Sequence, residues 1–179
     1  MKIHKELNIV DEILGTYKNQ IGDVFDGYKN HVYRMIHFCY SLYNCSEEDQ
    51  NKIQIAGSFH DIGLWTDNTV DYLPPSIIHA KKYLAENGLT SWEEEITLMI
   101  DMHHKVTEYK NDSFPLVEIF RKGDLTDFSL GFVKNGINSS IINEVKEIFP
   151  NAGFHSFLMG RAFGWVLKNP FNPAPIMKW

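Results

Sequence analysis

Apolar residues recur along nearly the whole chain at the spacing of an α-helix, about 3.6 residues, and no segment alternates apolar and polar residues as a strand does. In the first such segment, Leu7, Val10, Leu14 and Tyr17 form one stripe. We therefore predict an all-α fold. A length of 179 residues suits one buried core, so we expect a single domain of about seven or eight helices over residues 1–179.

Capping residues, glycines and prolines divide this pattern into helices. Gly27 is expected to break the first helix, with Asn30 capping the second. Ser91 and Glu94 have the spacing of a capping box and predict the start of a later helix. Pro115 predicts the start of another, which continues to about residue 128.

The charge and the apolar pattern exclude several classes of protein. A net charge of −6 argues against a protein that coats nucleic acid, because phosphate backbones bind to electropositive surfaces. The chain has no apolar run of about 18 residues, so no contact with membranes is expected. Its first residues show no secretory signal, and Cys39 and Cys45 are not spaced as a metal-binding pair. These features predict a cytoplasmic protein with free thiols.

The tail, residues 169–179, holds three of the seven prolines and is expected to be extended. It carries Phe171, Met177 and Trp179, apolar side chains that need a surface to cover them. Two alternatives stay open: the tail docks on its own domain, or it docks on a partner subunit of a homo-oligomer.

Each of the five helices that follow the first contributes a histidine or an aspartate that could bind a metal. In chain order these are His31, His60 with Asp61, His79, His103 with His104, and Asp124. The steps between them are 29, 19, 24 and 20 residues, each the length of one helix and one connection. Every side chain can therefore return to the same depth of a bundle, where bundles build metal sites. Imidazole and carboxylate ligands suit iron, manganese, zinc or magnesium.

The number of candidate ligands predicts two divalent metal ions. One metal takes about four protein ligands, and this set has more. Asp61 is the expected bridge between the ions, since it follows His60 directly and has other candidate ligands before and after it. Neighbours on a helix point about 100° apart, so His103 and His104 both reach the site only if their helix ends there. His104 is either a further ligand or a contact to substrate.

His31, the pair His60-Asp61 and Asp124 resemble the metal-binding pattern of the HD-domain phosphohydrolases. The resemblance covers about residues 28–130 and includes the stretches HVYR, from residue 31, and FHDIG, from residue 59. The additional histidines are similar to those of the binuclear branch, which includes HD-GYP phosphodiesterases and bacterial diadenosine tetraphosphate hydrolases.

This resemblance implies hydrolysis of a small phosphoester or phosphoanhydride, with a nucleotide as the expected substrate. Two metal ions would bridge a water and lower its pKa, which yields a hydroxide in line with the phosphorus. Asp61, Arg34 and Lys105 are the candidate catalytic residues. Arg34 could contact the substrate phosphate or pair with a buried carboxylate. Asp127 could orient a ligand histidine or belong to a solvated helix face.

The chain departs from the family's pattern in ways that leave other functions open. Leu64 stands where many relatives carry a lysine, and no Gly-Tyr-Pro motif follows, which argues against a phosphodiesterase of the GYP type. The ligand set is also similar to that of the mixed-valent di-iron oxygenases of the superfamily, such as myo-inositol oxygenase, which cleave a C–C or C–P bond. A third hypothesis is a regulatory module that binds a nucleotide without turnover. Fold and ligand set alone do not separate these functions.

Overall fold

The computed structural model describes residues 2–178, and the helices account for most of this range. In chain order they are α1 (Asn8–Ile21), α2 (Phe25–Leu42), α3 (Glu47–Phe59), α4 (Gly63–Thr66), α5 (Leu73–Glu86), α6 (Glu93–Met102), α7 (Pro115–Phe128), α8 (Ser139–Ile148) and α9 (Phe154–Lys168). Within residues 2–178 no strand forms, apart from one isolated bridge between residues 105 and 178. The predicted all-α fold is confirmed.

The most extensive helix–helix contact of the bundle is between α2 and α7. These helices pack along one another, while α3 and α6 pack beside them and α1 and α5 lie further out. The core that they enclose is apolar and rich in aromatic rings, among them Tyr28, Phe38, Phe59 and Phe120. This arrangement turns one face of α2, α3, α6 and α7 toward a common centre. Of the described helices, none is long and apolar enough to cross a membrane.

The expected helix break at Gly27 and the expected cap at Asn30 are both wrong. Gly27 lies inside α2, where an added Cβ would come within 2.9 Å of the carbonyl oxygen of Ala152. Asn30 does not cap a helix; its Nδ2 donates to the carbonyl of Pro150 at 2.8 Å. Both residues serve the contact between α2 and the loop before α9, which depends on chain segments far apart in sequence.

The start of α6 also differs from the prediction, whereas α7 begins and ends where expected. Residues Thr90–Trp92 turn as a short 3-10 helix that leads into α6 at Glu93. Ser91 therefore lies within this turn and does not act as a side-chain cap. In contrast, Pro115 occupies the first position of α7, as the pyrrolidine ring favours.

The tail contacts its own domain at residues 176–178. The carbonyl of Lys178 accepts the N–H of Val106 at 2.8 Å, and its Nζ lies 2.9 Å from the carboxylate of Asp101. Phe171 is exposed, and Trp179 lies outside the described residues. Residues 176–178 therefore follow the first of the two alternatives, in which the tail docks on its own domain.

We expect the packing of α2 against α7 to be sensitive to volume at Gly123. An added Cβ there would lie 2.9 Å from the carbonyl oxygen of Met35 and closer still to the sulfur of Cys39. Gly123→Ala should lower the free energy of unfolding by about 1–3 kcal/mol through overpacking. Urea unfolding followed by circular dichroism measures this change.

Gly160→Ala is the matched control, because no described atom lies within 4 Å of a Cβ at this position of α9. This substitution should raise the free energy of unfolding by about 0.5–1 kcal/mol, since alanine is the better helix former. The same effect at both glycines would contradict the close approach of α2 and α7.

Candidate metal centre

Three of the predicted ligand histidines meet where helices α2, α3 and α6 converge. His31 lies on α2, and His60 and His103 are the residues that follow the last turns of α3 and α6. Asp124 approaches from α7, and all four side chains are buried. The ends of α3 and α6 thus bring their histidines beside the central pair of helices.

Each of these imidazoles is held in place through its Nδ1 atom. Nδ1 of His31 donates to the carboxylate of Asp127 at 2.7 Å. Nδ1 of His60 and Nδ1 of His103 each donate to the backbone carbonyl three residues earlier, also at 2.7 Å. A neutral imidazole that donates from Nδ1 has its lone pair at Nε2. All three histidines therefore offer Nε2 to the centre of the cluster.

The atoms that face the centre lack protein groups to satisfy them. Nε2 of His31 and Nε2 of His60 lie only 3.1 Å apart, and two lone pairs at this distance repel unless a cation lies beside them. Nε2 of His103 and Oδ1 of Asp61 are buried and have no hydrogen-bond partner among the described residues. Buried polar atoms without partners are costly. This donor set fits a metal cation.

The ligand atoms form two groups that overlap at one carboxylate. His31, His60 and Asp61 offer atoms within 4.8 Å of one another, and so do Asp61, His103 and His104. Asp124 adds Oδ1 at 3.5 Å from Nε2 of His31. The cluster can hold a metal ion, and its imidazole and carboxylate ligands are those of borderline divalent metals.

Burial and neighbouring charges set the protonation of the cluster. Burial lowers the pKa of His31 to about 4, although the hydrogen bond to Asp127 opposes this, so the ring is neutral near pH 7. Burial above all, opposed by His103 and aided by the charges of Asp61 and Asp127, raises the pKa of Asp124 to about 7. Burial would also raise the pKa of Asp61, but the adjacent imidazoles hold it well below its ordinary value. A bound cation would keep both carboxylates ionised.

The predicted contact of Arg34 with a substrate phosphate is wrong. Arg34 is buried, and its Nε and Nη2 donate to the two oxygens of Asp127 at 2.5 and 2.7 Å. Its Nη1 donates to the carbonyl of Phe149 at 3.0 Å. The alternative, an ion pair with a buried carboxylate, is what the structure shows. Burial would raise the pKa of Asp127, but the bonds from His31 and Arg34 keep it well below its ordinary range.

His79 is also absent from the cluster, so its prediction as a ligand is wrong. Its Nδ1 lies 3.3 Å from the hydroxyl of Tyr17, and its ring packs edge-on against that tyrosine of α1. The buried face of α5 carries Ser76, Ala80 and Leu84. His79 points about 100° away from Ala80 around the helix. The helix-length step therefore reaches α5, but His79 lies away from the buried face of that helix.

His104 reaches the cluster because α6 ends at Met102. Because the helix ends there, the side chains of His103 and His104 can both reach the cluster. Nε2 of His104 lies 2.6 Å from the hydroxyl of Tyr72, a residue that sequence reasoning missed. Burial raises the pKa of Tyr72 well above its ordinary value, with the charges of Asp61 and Asp124 adding to the effect, so this hydroxyl keeps its proton. A single tyrosine has no ligand spacing that could have revealed it.

A cavity of about 330 Å³ opens beside the cluster. Its polar side is formed by the ligand residues His31, Asp61, His103, His104 and Asp124. Its apolar walls are formed by Leu64, Val70, Val106, Leu125, Phe128, Leu158, Met159, Ala162, Ile176 and Met177. The predicted catalytic residue Lys105 lines it as well, with Tyr72, Arg121 and Arg161. The cluster is therefore accessible to a small molecule.

Comparisons of the chain with protein-family models, with curated proteins and with solved structures found no match. The resemblance to the HD-domain phosphohydrolases therefore depends on the residues of this chain alone.

We expect Asp127→Asn to weaken metal binding, because the uncharged amide orients and polarises His31 less than the carboxylate does. Loss of an outer partner of a ligand histidine typically lowers metal affinity by about 10–100-fold. Titration of the metal-free protein with Zn²⁺ measures this change, and circular dichroism confirms that the variant is folded.

Asp112→Asn removes the same charge at an exposed position and is the control. Unchanged affinity in a folded Asp127→Asn variant would show that Asp127 does not act through His31.

Proposed function

We propose that this protein is a metal-dependent hydrolase that cleaves a small phosphoester or phosphoanhydride at a centre of two divalent metal ions. One observation carries the proposal: the carboxylate of Asp61 belongs to two groups of candidate ligand atoms at once. A shared carboxylate suits two ions held about 3.5–4 Å apart, the spacing at which such pairs catalyse hydrolysis of phosphate esters.

The candidate ligands divide into two sets. His31, His60 and Asp124 would hold one ion, His103 and His104 the other, and Asp61 both. When bound, the ions lower the pKa of a water to supply the nucleophile and neutralise charge on the phosphate oxygens. Iron, manganese and zinc all suit these ligands.

Other residues of the chain would position the substrate and assist departure of its leaving oxygen. Lys105 lines the cavity two residues after His103 and would contact a phosphate oxygen. Tyr72 holds a proton at its hydroxyl, 2.6 Å from His104, and can donate a hydrogen bond into the cavity. The apolar walls keep water from the remaining surface of the substrate, which strengthens these polar contacts.

A second candidate function is oxidative cleavage of a C–C or C–P bond by a di-iron form of the same cluster. One observation favours it: Leu64, at the position of a lysine in many of the hydrolases, lines the cavity as an apolar residue. A site with fewer cationic contacts is less suited to highly charged phosphates. The assays below separate the two chemistries.

Metal stoichiometry tests the shared carboxylate. Protein purified without chelator should contain about two metal ions per chain by elemental analysis, because the ligand set exceeds what one ion takes. Asp61→Ala should lose both ions, whereas His103→Ala should lose one.

His79→Ala is the control, since this histidine contacts Tyr17 and not the cluster. It should keep both ions. A stable content of one ion per chain that the Asp61→Ala and His103→Ala variants lower alike would contradict the two-metal centre.

The reaction class is tested with a panel of alkyl and aryl phosphates, nucleotides and dinucleoside polyphosphates. We expect the metal-loaded protein to release phosphate or a mononucleotide from at least one of them, with no need for oxygen. Asp61→Ala should abolish the release, and His79→Ala should leave it unchanged. Oxygen uptake by the iron form with a polyol or phosphonate, without hydrolysis of any phosphate ester, would identify the oxygenase instead. Tight nucleotide binding without either reaction would indicate a regulatory module.

A further inference from the structure

Apolar side chains form more of the cavity lining than polar side chains do. Apart from the ligand residues, Tyr72 and three basic residues, its walls consist of aliphatic and aromatic side chains. These include Leu125 and Phe128 from α7, Leu158 and Met159 from α9, and Ile176 from the tail. These side chains offer no hydrogen-bond donor or acceptor to a strongly polar ligand. A molecule that fills the cavity must therefore place apolar groups against α7 and α9.

Some of these wall residues are also exposed to solvent. Phe128 is 50% exposed, Met159 68% and Val106 50%, although each lines the cavity. The apolar wall therefore continues to the protein surface. An apolar group of a ligand that covered these side chains would remove their surface from water, which favours binding.

Two of the basic side chains beside the cavity are already held by protein groups. Arg121 donates to both oxygens of Glu118, each at 2.7 Å, and forms an ion pair with it. Arg161 donates to the side chain of Asn68 at 2.8 Å and to the carbonyl of Leu64 at 3.3 Å. Recognition of an anion is thus concentrated at the metal-facing side, which suits one compact anionic group.

We propose that the substrate is a phosphomonoester of an apolar alcohol, with its alkyl or aryl group between α7 and α9 and its phosphate at the metal-facing side. This inference rests on the proposed hydrolase function. A nucleotide fits less well, because its ribose hydroxyls would lie against apolar walls and lose the hydrogen bonds they make in water.

The reaction on such a substrate is balanced by water alone. The oxygen of water bonds to phosphorus, and the bond between phosphorus and the ester oxygen breaks. The ester oxygen takes up a proton, so the products are the free alcohol and inorganic phosphate.

Binding of n-alkylphosphonates tests the inference without turnover, since their C–P bond resists hydrolysis. Calorimetry with the metal-loaded full chain should show an affinity that rises about threefold to fourfold for each added methylene from methylphosphonate to pentylphosphonate. Pentylphosphonate should bind more tightly than adenosine monophosphate. An affinity that is independent of chain length, or tighter binding of adenosine monophosphate, would overturn the proposal.

Two phenylalanines provide matched variants. Phe128→Ser removes a half-exposed wall residue and should reduce the gain in affinity from methylphosphonate to pentylphosphonate several-fold. Phe132→Ser changes a side chain that is 88% exposed and is not part of the cavity wall, so it should leave the series unchanged. Equal effects of the two substitutions would contradict the assigned position of the apolar group.

The two proposals fail in different ways. Suppose that the protein hydrolyses a nucleotide in an Asp61-dependent reaction and that its affinity for alkylphosphonates does not change with chain length. The apolar substrate is then wrong, and the hydrolase function holds. If the affinity rises with chain length but no compound of the phosphate panel is hydrolysed, the apolar binding site holds, and the hydrolase function and this substrate assignment are both wrong.

Discussion

A buried ion pair between Arg34 and Asp127 connects the packing of the bundle to its metal-facing residues. Arg34 belongs to α2 and Asp127 to α7, the two helices at the centre of the fold. The remaining donors of the guanidinium reach the carbonyls of Phe149 and Pro150, in the chain that leads to α9. Because every charged group here is desolvated, the pair is favourable only while all of these hydrogen bonds are made.

Asp127 connects this ion pair to the metal-facing residues through one hydrogen bond, which it accepts from His31. One of its oxygens accepts both from Nδ1 of His31 and from the guanidinium of Arg34. The carboxylate therefore keeps its charge in a buried place and fixes which nitrogen of His31 carries the proton. The packing of α2 on α7 and the orientation of a ligand imidazole thus depend on the same few atoms.

The ends of α3 and α6 orient two further ligands by a different means. The last carbonyls of a helix have no partner within the helix. At both ends, a histidine satisfies one of them with its own Nδ1–H, which leaves Nε2 directed at the cluster. One hydrogen bond closes the helix and sets the tautomer of the ligand. The cavity beside these ligands also has apolar walls. Their low dielectric strengthens any interaction between charges within the cavity.

The sequence by itself determined the helical class, the bounds of α7 and most of the ligand residues. Helical periodicity, prolines and helix-length spacing are properties of neighbouring residues, so they can be read without the fold. They predicted His31, His60, Asp61, His103 and Asp124, which the structure brings together. The two overlapping ligand groups also agree with the central position predicted for Asp61.

Only the tertiary structure decided which way each helix turns about its axis. That rotation depends on packing between segments far apart in the chain. It directs His79 to Tyr17, places Tyr72 beside His104 and gives Arg34 a carboxylate partner 93 residues away. The walls of the cavity come from α4, α7, α9 and the tail, which no local pattern relates to one another. Spacing along the chain therefore identified α2, α3, α6 and α7 as candidate ligand-bearing helices but wrongly added α5, and long-range packing selected the side chains that form the site.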